Sequence, residues 1–159
     1  MPNTFEPAGN IPPSTRVAIA VSRYNASVTS RLLDAAVATL VAAGIADGSV
    51  DVAWVPGSFE LSFAADRLAA TGRYAAVLCL GAIIRGETSH DRHIAQAAAT
   101  GIEACGRSRG IPVVFGVLTC DTLAQAVARA GGGHGNKGQE CAEAAIAMIG
   151  LSAAISAPS

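Results

Sequence analysis

The chain has 159 residues, 51% of them apolar, and a formal net charge of -1. That is enough apolar material for the core of one domain, and it leaves no overall positive field to gather nucleic acid or an anionic membrane. With charged residues at only 14% and a mean hydropathy of +0.41, the surface is expected to carry apolar patches that meet a partner, most simply further copies of the same chain.

Residues 1–15 carry Pro2, Pro7, Pro12 and Pro13 and no apolar stretch of signal-peptide type, so they read as a flexible arm ahead of a single domain over 16–156. Residues 16–22 form a short apolar run that suits a strand buried on both faces. Over 28–43, Leu32, Leu33, Ala36, Val37, Leu40 and Val41 recur at helical spacing, and Gly44 stands where a helix-ending glycine belongs. A second strand over 49–55 stops at Pro56 and Gly57, and a helix over 59–70 closes at Gly72. The third strand, 74–84, is the longest apolar run, and a helix over 90–105 is expected to end at Gly106. A fourth strand over 111–119, a short helix over 122–129, a glycine-rich break over 131–138 and a helix over 139–149 complete the chain.

Strands alternating with helices predict right-handed crossovers and a four-stranded parallel sheet covered on both faces, a three-layer α/β/α sandwich of flavodoxin-like type. In such sheets ligands bind beyond the carboxyl ends of the strands. The apolar runs break too soon to span a bilayer, and cytoplasm is the expected compartment. Cys79, Cys105, Cys120 and Cys141 lack CxxC spacing and sit in apolar runs, so they read as reduced packing residues.

The loops after the strands carry the chemistry. Ser22, Arg23, Tyr24 and Asn25 follow the first strand, and the Tyr24 ring either stacks on a flat heterocycle or covers the edge of the core. Pro56, Gly57, Ser58, Phe59 and Glu60 lead into a helix whose first N–H groups suit polar ligand atoms, with Glu60 serving either the ligand or the helix dipole. After the third strand, Gly86, Glu87 and Thr88 offer backbone donors and a hydroxyl to a phosphate, and His90 brings an imidazole, the side-chain type most often used for proton transfer. Arg85 is either a ligand group or an ion-pair partner of its loop.

His90 and His93 are three residues apart without a third ligand at metal-site spacing, so no metal is expected. Arg129 ends the short helix and Lys137 lies near the end of the glycine-rich break; an arginine fork beside free amides makes a phosphate clamp, and an arginine at a helix end also suits the dipole. Asn136, Lys137 and Gly138 follow a helix rather than a strand and lack the Ser/Thr of a nucleotide P-loop, and no dinucleotide glycine pattern follows the first strand.

In order, Arg23 to Asn25, Pro56 to Glu60, Gly81 to His90, Phe115 to Thr119, Gln125 to Gly131 and Gly135 to Gly138 resemble the lumazine synthase family of riboflavin biosynthesis over nearly the whole chain. The resemblance implies a cofactor-independent condensation, through a Schiff base and phosphate elimination, of 5-amino-6-(D-ribitylamino)uracil with 3,4-dihydroxy-2-butanone 4-phosphate. It gives 6,7-dimethyl-8-ribityllumazine with release of phosphate and water. It also implies a homopentamer, in some members a shell of pentamers, with sites between subunits.

Carried over by position, the resemblance assigns Tyr24 to stacking, Ser58 and Glu60 to the ribityl chain, and Ile83 and Ile84 to the ring pocket. Gly86, Glu87, Thr88 and Arg129 fall to the phosphate, His90 to proton transfer, and Phe115 and Lys137 to completing the pocket, with Arg129 from the neighbouring subunit. Tyr24 stands where the family has Phe or Trp, and Asp91, Arg92 and His93 stand where aromatics are common, which puts charge beside His90. A carrier that merely holds a flavin or lumazine is the rival reading, and it has no use for a phosphate clamp and an imidazole together. A shell-forming role is the third.

Overall fold

The computed structural model describes residues 1–7 and 11–158; residues 8–10 of the expected arm lie outside the described residues. The strands are β1 (Val17–Ser22), β2 (Val50–Val55), β3 (Ala76–Ile84) and β4 (Val113–Cys120). The helices are α1 (Ala26–Ala42), α2 (Leu61–Ala70), α3 (His90–Arg109), α4 (Leu123–Ala128) and α5 (Lys137–Ser156). The sheet has the order β2-β1-β3-β4, and all three neighbouring pairs are parallel. The expected flavodoxin-like sandwich is therefore the observed one.

Two cores follow from the period-two alternation of a strand. Val17, Ile19 and Val21 of β1 join Leu78 and Leu80 of β3 under α1, α4 and α5, where Leu32, Leu40, Ala126, Ala142 and Ile149 are buried. On the other face Ala18, Ala20, Val77 and Cys79 lie under α2 and α3 with Leu61, Ala65, Ala98 and Ile102. The β1 residues on that second face are alanines, which lets α2 and α3 approach closely. The two helices also touch where a Cβ on Gly101 would fall 2.8 Å from Ser62 Cβ. All four cysteines are free thiols; burial pushes the Cys141 thiol up to about 11 and the Cys79 thiol higher still, so both behave as packing groups.

The amino ends of three strands are pinned by one polar cluster. Arg16 Nη2 and Tyr74 Oη both donate to Asp51 Oδ2, at 2.8 and 2.6 Å, tying the residues just before β1 and β3 to β2. Nearby, Thr15 is buried and its N–H donates to the Pro12 carbonyl at 3.0 Å, while Ile11 packs against the first core.

Helix boundaries show where glycine has two meanings. Gly44 and Gly72 follow α1 and α2 with φ of 103° and 71°, as helix-ending glycines do. Gly106 does not end α3, contrary to expectation; the helix continues to Arg109 and ends on Gly110 at φ 67°. Gly106 is small for another reason, because a Cβ there would lie 3.3 Å from the Ile111 carbonyl oxygen as the chain turns back over the helix. Likewise α5 begins at Lys137 rather than 139, since Asn136 Oδ1 accepts from the N–H groups of Gly138 and Gln139 at 2.8 and 3.3 Å. Gly138 tolerates its helical place because α5 crosses α1 there, and a Cβ would overlap the Leu32 carbonyl.

Gly138→Ala is therefore expected to lower stability by about 3 kcal/mol, whereas Gly48→Ala, which points into open space, should stay within about 0.5 kcal/mol; chemical denaturation of the two variants checks the contrast. The Asp51 carboxyl is held below the usual carboxylate range by the Tyr74 hydrogen bond first and Arg16 second. Its stabilising effect is thus present above the unfolded value near ~4 and fades as pH falls through the lower folded value. Asp51→Asn should lower stability at neutral pH and flatten that acid limb in a pH series of unfolding curves.

Candidate active site

Parallel strands place all four carboxyl ends along one rim, and the loops that leave β1, β2 and β3 meet there around a cleft of about 600 Å³. β1 supplies Tyr24 and Asn25, β2 supplies Gly57 to Glu60, and β3 supplies Ala82 to Ile84, followed by Gly86, Thr88 and His90. The chain crosses from one side of β1 to the other between β2 and β3, so the cleft sits at the switch point of the sheet.

Each wall is held by a local device. Asn25 adopts the left-handed conformation at φ 61° and its Nδ2 donates to the Ala82 carbonyl at 2.8 Å, locking the β1 loop to the end of β3. Behind Tyr24, a Cβ on Gly57 would fall 2.7 Å from the ring, so only glycine lets the aromatic side chain lie against the β2 loop. The Tyr24 ring is nonetheless 68% exposed, an open aromatic face at the cleft mouth. Residues Ser58–Glu60 form a 3-10 turn rather than the first turn of an α-helix, and Glu60 Oε2 accepts from the Gly57 N–H at 3.1 Å. Ser58 is buried in the wall, with Gly81 leaving room for its Oγ.

The far wall begins α3, a 20-residue helix whose first residues, His90 and Asp91, line the cleft at the positive end of the helix dipole. Thr88 Oγ1 accepts from the His90 N–H at 3.3 Å, which sets the loop. Among the described residues the His90 imidazole has no hydrogen bond or ion pair, so it is free to exchange a proton with a ligand. Ile83, Ile84 and Ile94 give the cleft an apolar lining, which suits a flat ring and strengthens polar contacts made beside it.

Eight of the expected site residues thus converge: Tyr24, Ser58, Glu60, Ile83, Ile84, Gly86, Thr88 and His90. Glu87 belongs to the same loop, exposed, outside the lining. Three others lie elsewhere on the chain. Arg129 follows α4 and lines a second concavity of about 540 Å³ with Thr119, Cys120 and Gln125. Phe115 is 39% exposed in the middle of β4, an edge strand, on the α2 and α3 face of the sheet. Lys137 opens α5 and its Nζ meets Glu140 Oε2 at 3.2 Å. Arg85 is an ion-pair partner, 3.9 Å from Asp121, bridging the loops after β3 and β4.

Residues 57 and 59, Asn25, Asp91 and Ile94 line the cleft without having been singled out as site residues. Asn25 carried a usable signal, since an asparagine directly after a buried strand and before a helical run is a candidate for the left-handed conformation. No group of three or more His, Cys, Asp or Glu is placed to hold a metal ion among the described residues.

Fold and cleft define a class: a parallel α/β protein with an aromatic and apolar cleft at a switch point, an unpaired imidazole at a helix amino terminus and a separate arginine-bearing concavity. The family model for 6,7-dimethyl-8-ribityllumazine synthase matches residues 14–153, and the chain belongs to that family. It is accordingly a member of a transferase family of riboflavin biosynthesis. No helix among the described residues is long and apolar enough to cross a membrane.

Removing the aromatic face should weaken binding of a planar ligand: Tyr24→Ala is expected to raise the Kd for 6,7-dimethyl-8-ribityllumazine, the compound that the family is named for, about tenfold, while Tyr24→Phe stays within about twofold. Isothermal titration of the two variants measures the difference.

Proposed function

We propose that the protein condenses 5-amino-6-(D-ribitylamino)uracil with 3,4-dihydroxy-2-butanone 4-phosphate to give 6,7-dimethyl-8-ribityllumazine, inorganic phosphate and two waters. The observation that carries this reading is the convergence, around an unpaired His90, of a stacking ring, an apolar ring pocket and a loop of backbone donors. The pyrimidine lies against Tyr24, Ile83 and Ile84, with its polyol chain toward Ser58 and Glu60. The primary amine attacks the ketone carbonyl, the carbinolamine loses water to an imine, and phosphate leaves by β-elimination. The resulting enol tautomerises, and the ribityl-bearing nitrogen closes the second ring with loss of the second water.

His90 moves protons in these steps, taking one from carbon as phosphate leaves and returning it to oxygen or nitrogen as water departs. Gly86, Glu87 and Thr88 offer backbone and hydroxyl donors at the amino end of α3 to the phosphate. Holding two reactants side by side in one cleft removes much of the entropic barrier, on the order of several kcal/mol, so acid–base help adds to an already large positional gain.

Arg129, Phe115 and Lys137 lie outside the cleft of their own chain, which supports a site completed by a neighbouring copy. Exposed Trp54, Phe59, Phe63 and Phe115 supply apolar surface for that contact, Phe63 at 72% exposure. The assembly we propose is a ring-shaped homo-oligomer, a pentamer, whose subunit boundary sets one chain's Arg129 and Phe115 against the next chain's cleft. A carrier role fits less well, because binding alone needs neither a free imidazole nor an arginine grip.

The purified protein is expected to form the lumazine from the two substrates faster than the uncatalysed background, and equal rates would overturn the reading. Arg129→Ala should raise KM for the phosphorylated ketone about tenfold or more and leave that for the pyrimidine within about threefold. His90→Ala should slow turnover by about 10- to 100-fold, a moderate loss that reflects the positional share of catalysis.

A further inference from the structure

The second concavity contains a group that the reading above does not use. Besides Arg129 it is lined by His134, from the glycine-rich segment that the sequence marks only as a break. That segment is tightly folded. Its ends are joined by a bridge between Ala130 and Asn136, the Gly131 N–H donates to the Gly135 carbonyl at 2.8 Å, and Gly131 itself has φ 94°. The His134 N–H donates to the Ala128 carbonyl at 2.9 Å, and the Lys137 N–H to the Arg129 carbonyl at 2.9 Å. A Cβ on Gly132 would lie 2.6 Å from the Val127 carbonyl oxygen, so the loop lies directly against the end of α4. The effect of this folding is to bring His134 back to the concavity that holds Arg129.

The charge balance there is one-sided. Arg129 and His134 are both exposed, and neither side chain has a hydrogen bond or ion pair among the described residues. No carboxylate lines the concavity. The nearest acid in sequence, Asp121, is engaged by Arg85, and Glu140 by Lys137. Gln125 Oε1 accepts from the N–H groups of Asp121 and Thr122 at 2.8 and 3.3 Å, which leaves its amide N–H groups and the Thr119 hydroxyl as further donors. A free guanidinium, a free imidazole and neutral donors without a competing carboxylate make a receptor for a compact anion. An imidazole donates a hydrogen bond in either protonation state, and a phosphate dianion beside it favours the charged form.

We propose that His134 is a second phosphate-binding side chain, acting with Arg129 on the phosphoryl end of the ketone substrate and setting the preference for a phosphorylated over an unphosphorylated one. The proposal rests on the assignment of Arg129 to that phosphate, but the binding of an anion in the concavity is testable without turnover.

The experiment has two arms. In the first, inorganic phosphate is titrated into the wild-type protein and the His134 imidazole resonances, assigned by their loss in His134→Gln, are followed by NMR. A saturable shift that Arg129→Ala abolishes is expected; no shift, or one that persists in Arg129→Ala, overturns the proposal whatever the enzyme's reaction. In the second arm, His134→Ala and His134→Gln are expected to raise both KM for the phosphorylated ketone and the inhibition constant of inorganic phosphate about tenfold, with KM for the pyrimidine within about twofold. An unchanged phosphate inhibition constant, or an equal rise in both KM values, overturns the proposal. Absence of wild-type turnover would instead remove the proposed reaction, and the first arm would still decide on His134.

Discussion

Parallel pairing of four strands is the constraint on which the site depends. Because β1, β2, β3 and β4 all point the same way, every loop that leaves a strand emerges on one rim, and residues more than sixty positions apart become neighbours there. The pairing depends in turn on two-sided burial, since a parallel strand exposes its backbone and side chains to both flanking layers. β1 is buried along its full length, and β3 along all but its last two residues. Those last two, Ile83 and Ile84, are where the strand leaves the core and begins to line the cleft. The transition from core-facing to cleft-lining side chains therefore happens within a single strand.

The rim is made rigid by short polar and steric contacts rather than by burial. Asn25 fastens the β1 loop to β3, Glu60 fastens its own turn, Thr88 sets the start of α3, and Gly57 clears a place for Tyr24. At the opposite end of the sheet the Arg16, Asp51 and Tyr74 cluster fixes the amino ends of the strands. With both ends tied, the cleft is preformed, which limits the ordering that a ligand must impose. Preformed geometry also fits a mechanism in which positioning does much of the catalysis.

Long buried strands and the helices between them were legible because their signals are redundant: apolar runs, helical spacing and glycines at helix ends all agree for β1, α1 and β3. Where one residue type serves two physical roles, the sequence was ambiguous. Gly106 reads as a stop, yet it is an interior helix position kept small by the returning chain. Gly138 reads as part of a loop, yet it lies inside a helix that presses on another helix's backbone, with Asn136 as the cap. Eight of the residues that line the cleft were legible from the loops that follow β1 to β3, while Asp91 and Ile94 carried no comparable signal. What linear order does not carry is which loops face one cleft and which face another. Arg129 and His134 illustrate this, since only the folded glycine-rich segment brings His134 beside the arginine.

In the assembly proposed above, one chain holds the ring pocket and proton-transfer group, while the anion grip at the end of its own α4 serves a neighbour. The claim can be tested by mixed assembly. One variant is disabled in the cleft by Tyr24→Ala with His90→Ala, the other in the grip by Arg129→Ala, and the two are unfolded together and refolded as one oligomer. If each site is built from two chains, random mixing regenerates intact boundaries and, assayed with the ketone well below its KM, should return about a quarter of wild-type activity. A mixture no more active than the average of the two variants assembled separately would contradict the shared site.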